Sequence, residues 1–113
     1  MRKIVFYKNY FYDFYNGLEE KVQKKIEWTL GLLRDLDKVP DKYFRYIVGT
    51  KGIFEIRIQV ETNIFRIFAF FDKGDLVILI NGFIKKTNKT PNREIKLAEK
   101  LMKEYYEEKK SNN

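Results

Sequence analysis

The cations of this sequence that are best suited to chemistry lie within and directly after a run of apolar segments. Arg57 and Arg66 interrupt two consecutive segments, and Lys85 and Lys86 follow a third. From residue 81 to residue 93 the chain carries four cations and no acidic residue. A guanidinium group stays charged and can bind two phosphate oxygens at once. This spacing predicts a site that holds phosphate.

Three strands must bring these cations together, and each has a visible pattern. Residues 54–60 alternate between apolar and polar, which is typical of a strand with one buried face. Residues 64–71 are apolar except for Arg66, and residues 76–80 are all aliphatic, as in strands covered on both faces. The Asp and Gly residues at 72–75 tolerate the dihedral angles of a tight turn. We expect three antiparallel neighbours.

The length of the first hairpin loop decides whether the two arginines share a face of the sheet. With a two-residue loop at 62–63, Arg66 lies opposite Gln59 and on the same face as Arg57. With a three-residue loop, Arg66 faces Ile58 and lies on the other side. The sequence leaves both registers open.

The N-terminal part of the chain predicts one strand and two helices. Residues 3–7 favour a strand, and the aromatic residues 9–15 favour a short helix packed on the core. Asn16 is a candidate N-cap for a long helix that runs to about residue 37. Trp28 lies outside the apolar stripe of that helix. It either widens the buried arc or contacts a partner, and we expect the wider arc.

The C-terminal part completes an α+β domain. Thr90 as N-cap and Pro91 at the first helical position predict a last helix. We expect a small antiparallel sheet of the N-terminal strand plus three C-terminal strands, packed against the two N-terminal helices, with the C-terminal helix added. Residues 1–113 are expected to form one domain, with a disordered tail at about 107–113.

Composition narrows the possible chemistry. The net charge of +7 and pI near 9.5 favour an anionic partner. The chain contains no histidine and no cysteine, which excludes imidazole catalysis, thiolate nucleophiles and disulfides. No Asp/Glu cluster has the pattern of a metal site, so we expect neither a metal nor another cofactor. The apolar run at residues 4–7 is too short for a signal peptide, which predicts a cytoplasmic protein.

Four short motifs in order resemble one known superfamily. They are residues 52–57 (GIFEIR), residues 63–68 (NIFRIF), residues 82–87 (GFIKKT), and Thr90-Pro91 with the helix that follows. Over nearly its whole length the chain resembles the RelE/ParE superfamily of type II toxins, in particular the phage-derived HigB-like branch. The resemblance implies a RelE-like fold, an mRNA endonuclease that often works on the ribosome, and a neutralising antitoxin, of helix-turn-helix type, encoded beside it.

Under that resemblance the cations acquire roles in RNA cleavage. Attack of a 2′-hydroxyl on its own phosphate needs a base and stabilisation of the phosphorane charge. Arg57 and Arg66 suit the stabilising role, although Arg66 can instead simply pair with Glu55. Lys85 or Lys86 suits the role of base, because adjacent cations lower the pKa of a lysine.

Four further residues are predicted to contact RNA. They are Phe83, Thr87, Lys89 and Arg93. Phe83 has two possible roles, stacking on a base or closing the core. Two functions of other classes remain open: a non-catalytic toxin that inhibits a protein such as DNA gyrase, as in a related branch, and a plain RNA-binding module.

Overall fold

The computed structural model describes residues 1–86 and 90–112. In that part of the chain, five strands and three helices follow one another. They are β1 (Lys3–Phe6), α1 (Tyr10–Asn16), α2 (Glu20–Asp35), β2 (Phe44–Tyr46), β3 (Phe54–Val60), β4 (Asn63–Phe71), β5 (Leu76–Lys85) and α3 (Asn92–Ser111). The predicted α+β class is confirmed, and the structure is consistent with a small RelE-like fold.

The five strands form one sheet in the order β1-β5-β4-β3-β2. Strands β3, β4 and β5 are antiparallel neighbours, as predicted. Strand β1 runs parallel to β5, so the sheet is mixed and the expected antiparallel pairing of the N-terminal strand is wrong. Two helices separate β1 from the other strands, so no hairpin turn fixes its direction. Strand β2 was not predicted, because three residues are too few to show alternation.

Helices cover both faces of the sheet. Helices α1 and α2 pack on one face, where Ile26 and Leu33 meet Ile56 and Ile67. Helix α3 packs on the other face through a second cluster of buried residues. That cluster includes Phe68, Phe70, Ile78, Ile80, Ala98 and Leu101. Because β4 and β5 are covered twice, their apolar runs are continuous, and Arg66 is the charged exception within β4.

The helix boundaries differ from those predicted. Asn16 is the last residue of α1, and α2 begins at Glu20, so Asn16 is not its N-cap. Pro91 is the N-cap residue of α3, one position after the predicted Thr90. Trp28 is 49% exposed, so the expectation that it widens the buried arc of α2 is wrong.

Helix α3 continues to Ser111, through most of the tail expected to be disordered. Two contacts hold its last turns. The Tyr7 hydroxyl donates a hydrogen bond to Glu108 Oε1 at 3.0 Å, and Lys109 Nζ lies 2.6 Å from Asp72 Oδ2. The bonds from Lys109 and from the Tyr105 hydroxyl lower the pKa of Asp72. These polar contacts were not visible in the sequence. Among the described residues, none of the helices is long and apolar enough to cross a membrane.

Strand β5 contains a bulge that sets the faces of its C-terminal half. Ala69 pairs with Leu79 and Ile67 pairs with Gly82, so two residues of β5, Ile80 and Asn81, oppose a single residue of β4. The phenyl ring of Phe14 in α1 lies directly over Gly82, and a Cβ atom built there would sit 2.4 Å from the ring. Glycine is therefore required at this position by the close approach of α1.

We expect Gly82→Ala to lower the free energy of unfolding by about 1–3 kcal/mol, because the ring of Phe14 must shift in a packed site. Gly31→Ala is the matched control: it lies within α2, where an added Cβ meets no atom within 4 Å. That control should stabilise the protein by about 1 kcal/mol. Urea unfolding of both variants measures the difference, and equal midpoints would contradict this close packing.

Candidate functional site

Arg57 and Arg66 are direct partners on neighbouring strands and lie on the same face of the sheet. The hairpin loop has two residues, Glu61 and Thr62, and Glu61 adopts the left-handed conformation with φ 57°. Of the two registers left open by the sequence, the one with a two-residue loop gives the correct shared face, but its partner for Arg66, Gln59, is wrong. The loop lies one residue earlier than expected, which moves the register by two residues and so keeps the face unchanged.

Glu55 is the centre of this face. It is only 2% exposed, and Arg45 Nε donates a hydrogen bond to its Oε1 atom at 2.7 Å. Arg66 Nη1 lies 2.5 Å from the same oxygen. Burial lowers the pKa of Arg66, the charge of Glu55 opposes that effect, and the charges of Arg57 and Arg45 add to it. The site thus contains one buried carboxylate among several arginines.

Arg66 is the buried partner of Glu55. The sequence analysis gives this pairing as the alternative to a role in binding phosphate. Its side chain is 2% exposed, so it does not present its guanidinium group to a ligand in this structure. Arg57 is half-buried and Arg45 is exposed. Direct contact with an anion is therefore available to Arg57 and Arg45, whereas Arg66 acts through Glu55 and through its charge.

Lys85 is the last residue of β5 and lies on the same face, opposite Ile64. Its pKa is lowered, first by burial and then by the charge of Arg66. The charge of Glu55 opposes this shift, and the charges of Arg45 and Arg57 make smaller contributions that lower the pKa further. The sequence analysis predicts that adjacent cations lower this pKa. In the structure burial contributes most, and the contributing cations lie on other strands: Arg66 on β4, Arg57 on β3 and Arg45 on β2.

The other predicted residues lie in different surroundings. Lys86 is exposed and follows the end of β5. Arg93 is exposed in the first turn of α3, with its Nε atom 3.7 Å from Glu94 Oε2. Phe83 is 8% exposed and packs on Phe68 with 5.3 Å between ring centroids. The core role of Phe83 is therefore the one that the structure supports. Thr87 and Lys89 lie outside the described residues.

A cleft of about 580 Å³ opens beside the buried carboxylate. The charged residues that line it are Arg45, Glu55 and Asp41, and Thr90, which precedes α3, also lines it. Arg45 was missed in the sequence analysis because β2 was missed. The only signal was the short alternation of Phe44, Arg45 and Tyr46.

Four cationic side chains therefore share one face with a single carboxylate, and we call this set the cationic face. It consists of Arg45, Arg57, Arg66, Lys85 and Glu55. Its excess of positive charge beside an open cleft favours an anionic ligand, and Lys85 is the group whose pKa is shifted toward use as a base. Within the described residues, no three acidic side chains come close enough together to hold a metal ion.

Fold and site together define a small α+β protein with an open cleft beside the cationic face of its sheet. The chain belongs to the family described as Phage derived protein Gp49-like (DUF891), whose family model matches residues 13–103. This match confirms the phage-derived part of the resemblance and spans every residue of the cationic face. A search of the curated proteins found no match.

Proposed function

We propose that the protein is the toxin of a type II toxin–antitoxin system and acts as an endoribonuclease on mRNA in the cytoplasm, in association with the ribosome. The observation that carries this proposal is the cationic face, where Arg45, Arg57 and Lys85 surround the Glu55–Arg66 pair beside an open cleft. Membership of the Gp49-like family and the resemblance of the motifs to RelE and HigB toxins support it.

The proposed reaction is attack of a ribose 2′-hydroxyl on the adjacent phosphorus, with formation of a 2′,3′-cyclic phosphate and release of the 5′-oxygen. Neutral Lys85 accepts the proton of the 2′-hydroxyl. Arg57 and Arg45 bind the non-bridging oxygens and stabilise the charge of the phosphorane. Exposed Lys86 supplies the proton to the departing 5′-oxygen.

Arg66 is a positioning residue in this scheme. It holds Glu55 in place at 2.5 Å, and its charge lowers the pKa of Lys85. A lowered pKa increases the fraction of Lys85 that is neutral near pH 7 and able to accept a proton. The reaction as proposed needs no cofactor, since base and charge stabilisation come from side chains.

The proposed protein partner is a cognate antitoxin of helix-turn-helix type, encoded by the neighbouring gene. An acidic segment of that antitoxin is the natural complement of the cationic face, because opposite potentials favour association. Covering Arg45 and Arg57 would block access of RNA to the cleft at the same time.

The test is inducible expression of the chain in bacteria, with mapping of mRNA 5′ ends within minutes. We expect new ends inside translated frames, and Arg57→Gln should abolish most of them while Lys73→Gln, an exposed lysine in the β4–β5 turn, leaves them unchanged. Intact mRNA together with DNA damage signalling would instead indicate a toxin that targets gyrase. Intact mRNA with normal growth would indicate that the protein is a plain RNA-binding module.

A further inference from the structure

A second group of aromatic and cationic side chains lies beside the cationic face. The Trp28 and Tyr43 rings meet edge to face, with 5.6 Å between their centroids and 77° between their planes. Lys25 Nζ lies 4.3 Å from the centroid of Trp28, and Lys42 Nζ lies 4.9 Å from that of Tyr43. Each ring therefore makes a cation–π contact with a different lysine.

The fold explains why these residues meet at this place. Strand β2 pairs with β3 only over residues 54–56, and beyond them the Tyr43 carbonyl accepts a hydrogen bond from the Arg57 N–H at 2.8 Å. Within residues 1–86 and 90–112, no strand lies beside the edge of β3 after Arg57. Helix α2 packs against β3 through Val22 and Ile26, which brings the next turn of the helix to the same edge.

A groove of about 270 Å³ results, and we call it the edge groove. Its lining residues are Lys25, Lys42, Tyr43, Arg57, Gln59 and Glu61. The only acidic residue among them, Glu61, has its Oε1 atom 2.7 Å from Lys21 Nζ, so its charge is already offset. Three cations thus line the edge groove, and Arg57 belongs both to it and to the cationic face.

Trp28 is 49% exposed, although it lies in the middle of an amphipathic helix. A half-exposed indole beside two lysines is suited to stack on a nucleobase, because every base offers a π face and the lysines can bind the phosphates on either side. The small volume of the edge groove favours one unstacked nucleotide over a duplex.

We propose that the edge groove binds one nucleotide of single-stranded RNA adjacent to the phosphate that is cleaved. The base stacks on Trp28 and Tyr43, Lys25 and Lys42 bind backbone phosphates, and Arg57 connects this subsite to the cationic face. This inference rests on the proposed function. It gives the path by which the substrate strand leaves the cationic face.

The test measures binding of the full chain to a single-stranded RNA with 2′-O-methyl groups, free and loaded as mRNA on ribosomes, over a range of salt. Lys25→Ala with Lys42→Ala should reduce the slope of log K against log salt by about 1.4, since two phosphate contacts are lost. Lys96→Ala with Lys100→Ala, exposed on α3, removes the same charge and should change the slope much less. Trp28→Ala should weaken binding by about 5- to 150-fold, whereas Tyr12→Ala, also a half-exposed aromatic residue, should not.

Three outcomes would overturn the inference, and they are distinguishable from one another. If the wild-type chain binds RNA and the two edge-groove variants behave like their controls, the subsite is wrong while the proposed function stands. If the wild-type chain binds neither RNA nor ribosome-loaded mRNA, the proposed function fails and the subsite with it. Loss of antitoxin binding alone in the variants would assign the edge groove to a protein and contradict the proposal.

Discussion

Glu55→Ala is expected to lower the free energy of unfolding by about 3–5 kcal/mol, because it leaves the buried guanidinium of Arg66 without its counter-charge. This is a large part of the stability of a typical domain. The free energy can be measured by urea unfolding followed by circular dichroism. Glu61→Ala is the control, since it removes an exposed carboxylate whose partner, Lys21, is also exposed, and it should shift the midpoint little.

A double replacement separates the loss of the ion pair from the loss of one partner. Glu55→Leu with Arg66→Met replaces the pair by apolar side chains, which is often neutral or stabilising at buried positions. We expect this variant to recover most of the stability that Glu55→Ala loses. If instead Glu55→Ala unfolds at the same urea concentration as the wild type, the pair is not buried in solution as it is in the structure.

Lys85→Arg is expected to slow RNA cleavage by about 10²- to 10⁴-fold, the usual contribution of one proton-transfer group. Arginine keeps the positive charge at the end of β5 but does not lose its proton near neutral pH. The change therefore removes the base and preserves attraction to phosphate. The measurement is the single-turnover rate of cleavage, together with the affinity for uncleavable RNA, which should stay nearly constant.

The pH dependence gives this prediction a second readout. Lys85 acts as a base only when it is neutral, so the wild-type rate should rise with pH and level off above its pKa. Burial and the charge of Arg66 lower that pKa below the ordinary lysine value of 10.5, so levelling should begin at a lower pH than for an exposed lysine. Lys73→Arg, at an exposed position in the β4–β5 turn, should keep this profile. A profile that persists in Lys85→Arg would assign the base to another group.

The strands that carry the cations were predictable because their patterns are local. Strand β3 was predicted over the residues where it occurs. Of the two registers left open, the one with a two-residue loop placed Arg57 and Arg66 on the same face even though its loop was one residue too late, since the register moved by an even number. The direction of β1 and the presence of β2 depend on pairing between distant segments, which no local pattern encodes. Arg45 was missed for that reason.

The sequence also did not show which individual side chains are buried and which are exposed. An arginine within an apolar strand indicated that Arg66 was special, but only the packed structure shows that it is covered and paired with Glu55. Phe83 had two equally reasonable roles, because an aromatic residue beside cations looks the same whether it faces RNA or the core. The exposure of Trp28 depends on how α2 sits against the edge of β3, which the helical period alone does not give.

The parallel pairing of β1 with β5 also has a consequence for the order of folding. Lys3 pairs with Leu76, so the strand synthesised first docks onto the strand synthesised last. Contacts between distant segments form late, because a long loop must close before they contribute any stability. During synthesis, therefore, β1 has no partner until β5 has left the exit tunnel. Lys85, at the end of the same strand, joins the cationic face at that stage, so a nascent chain carries an incomplete site until most of the protein has emerged.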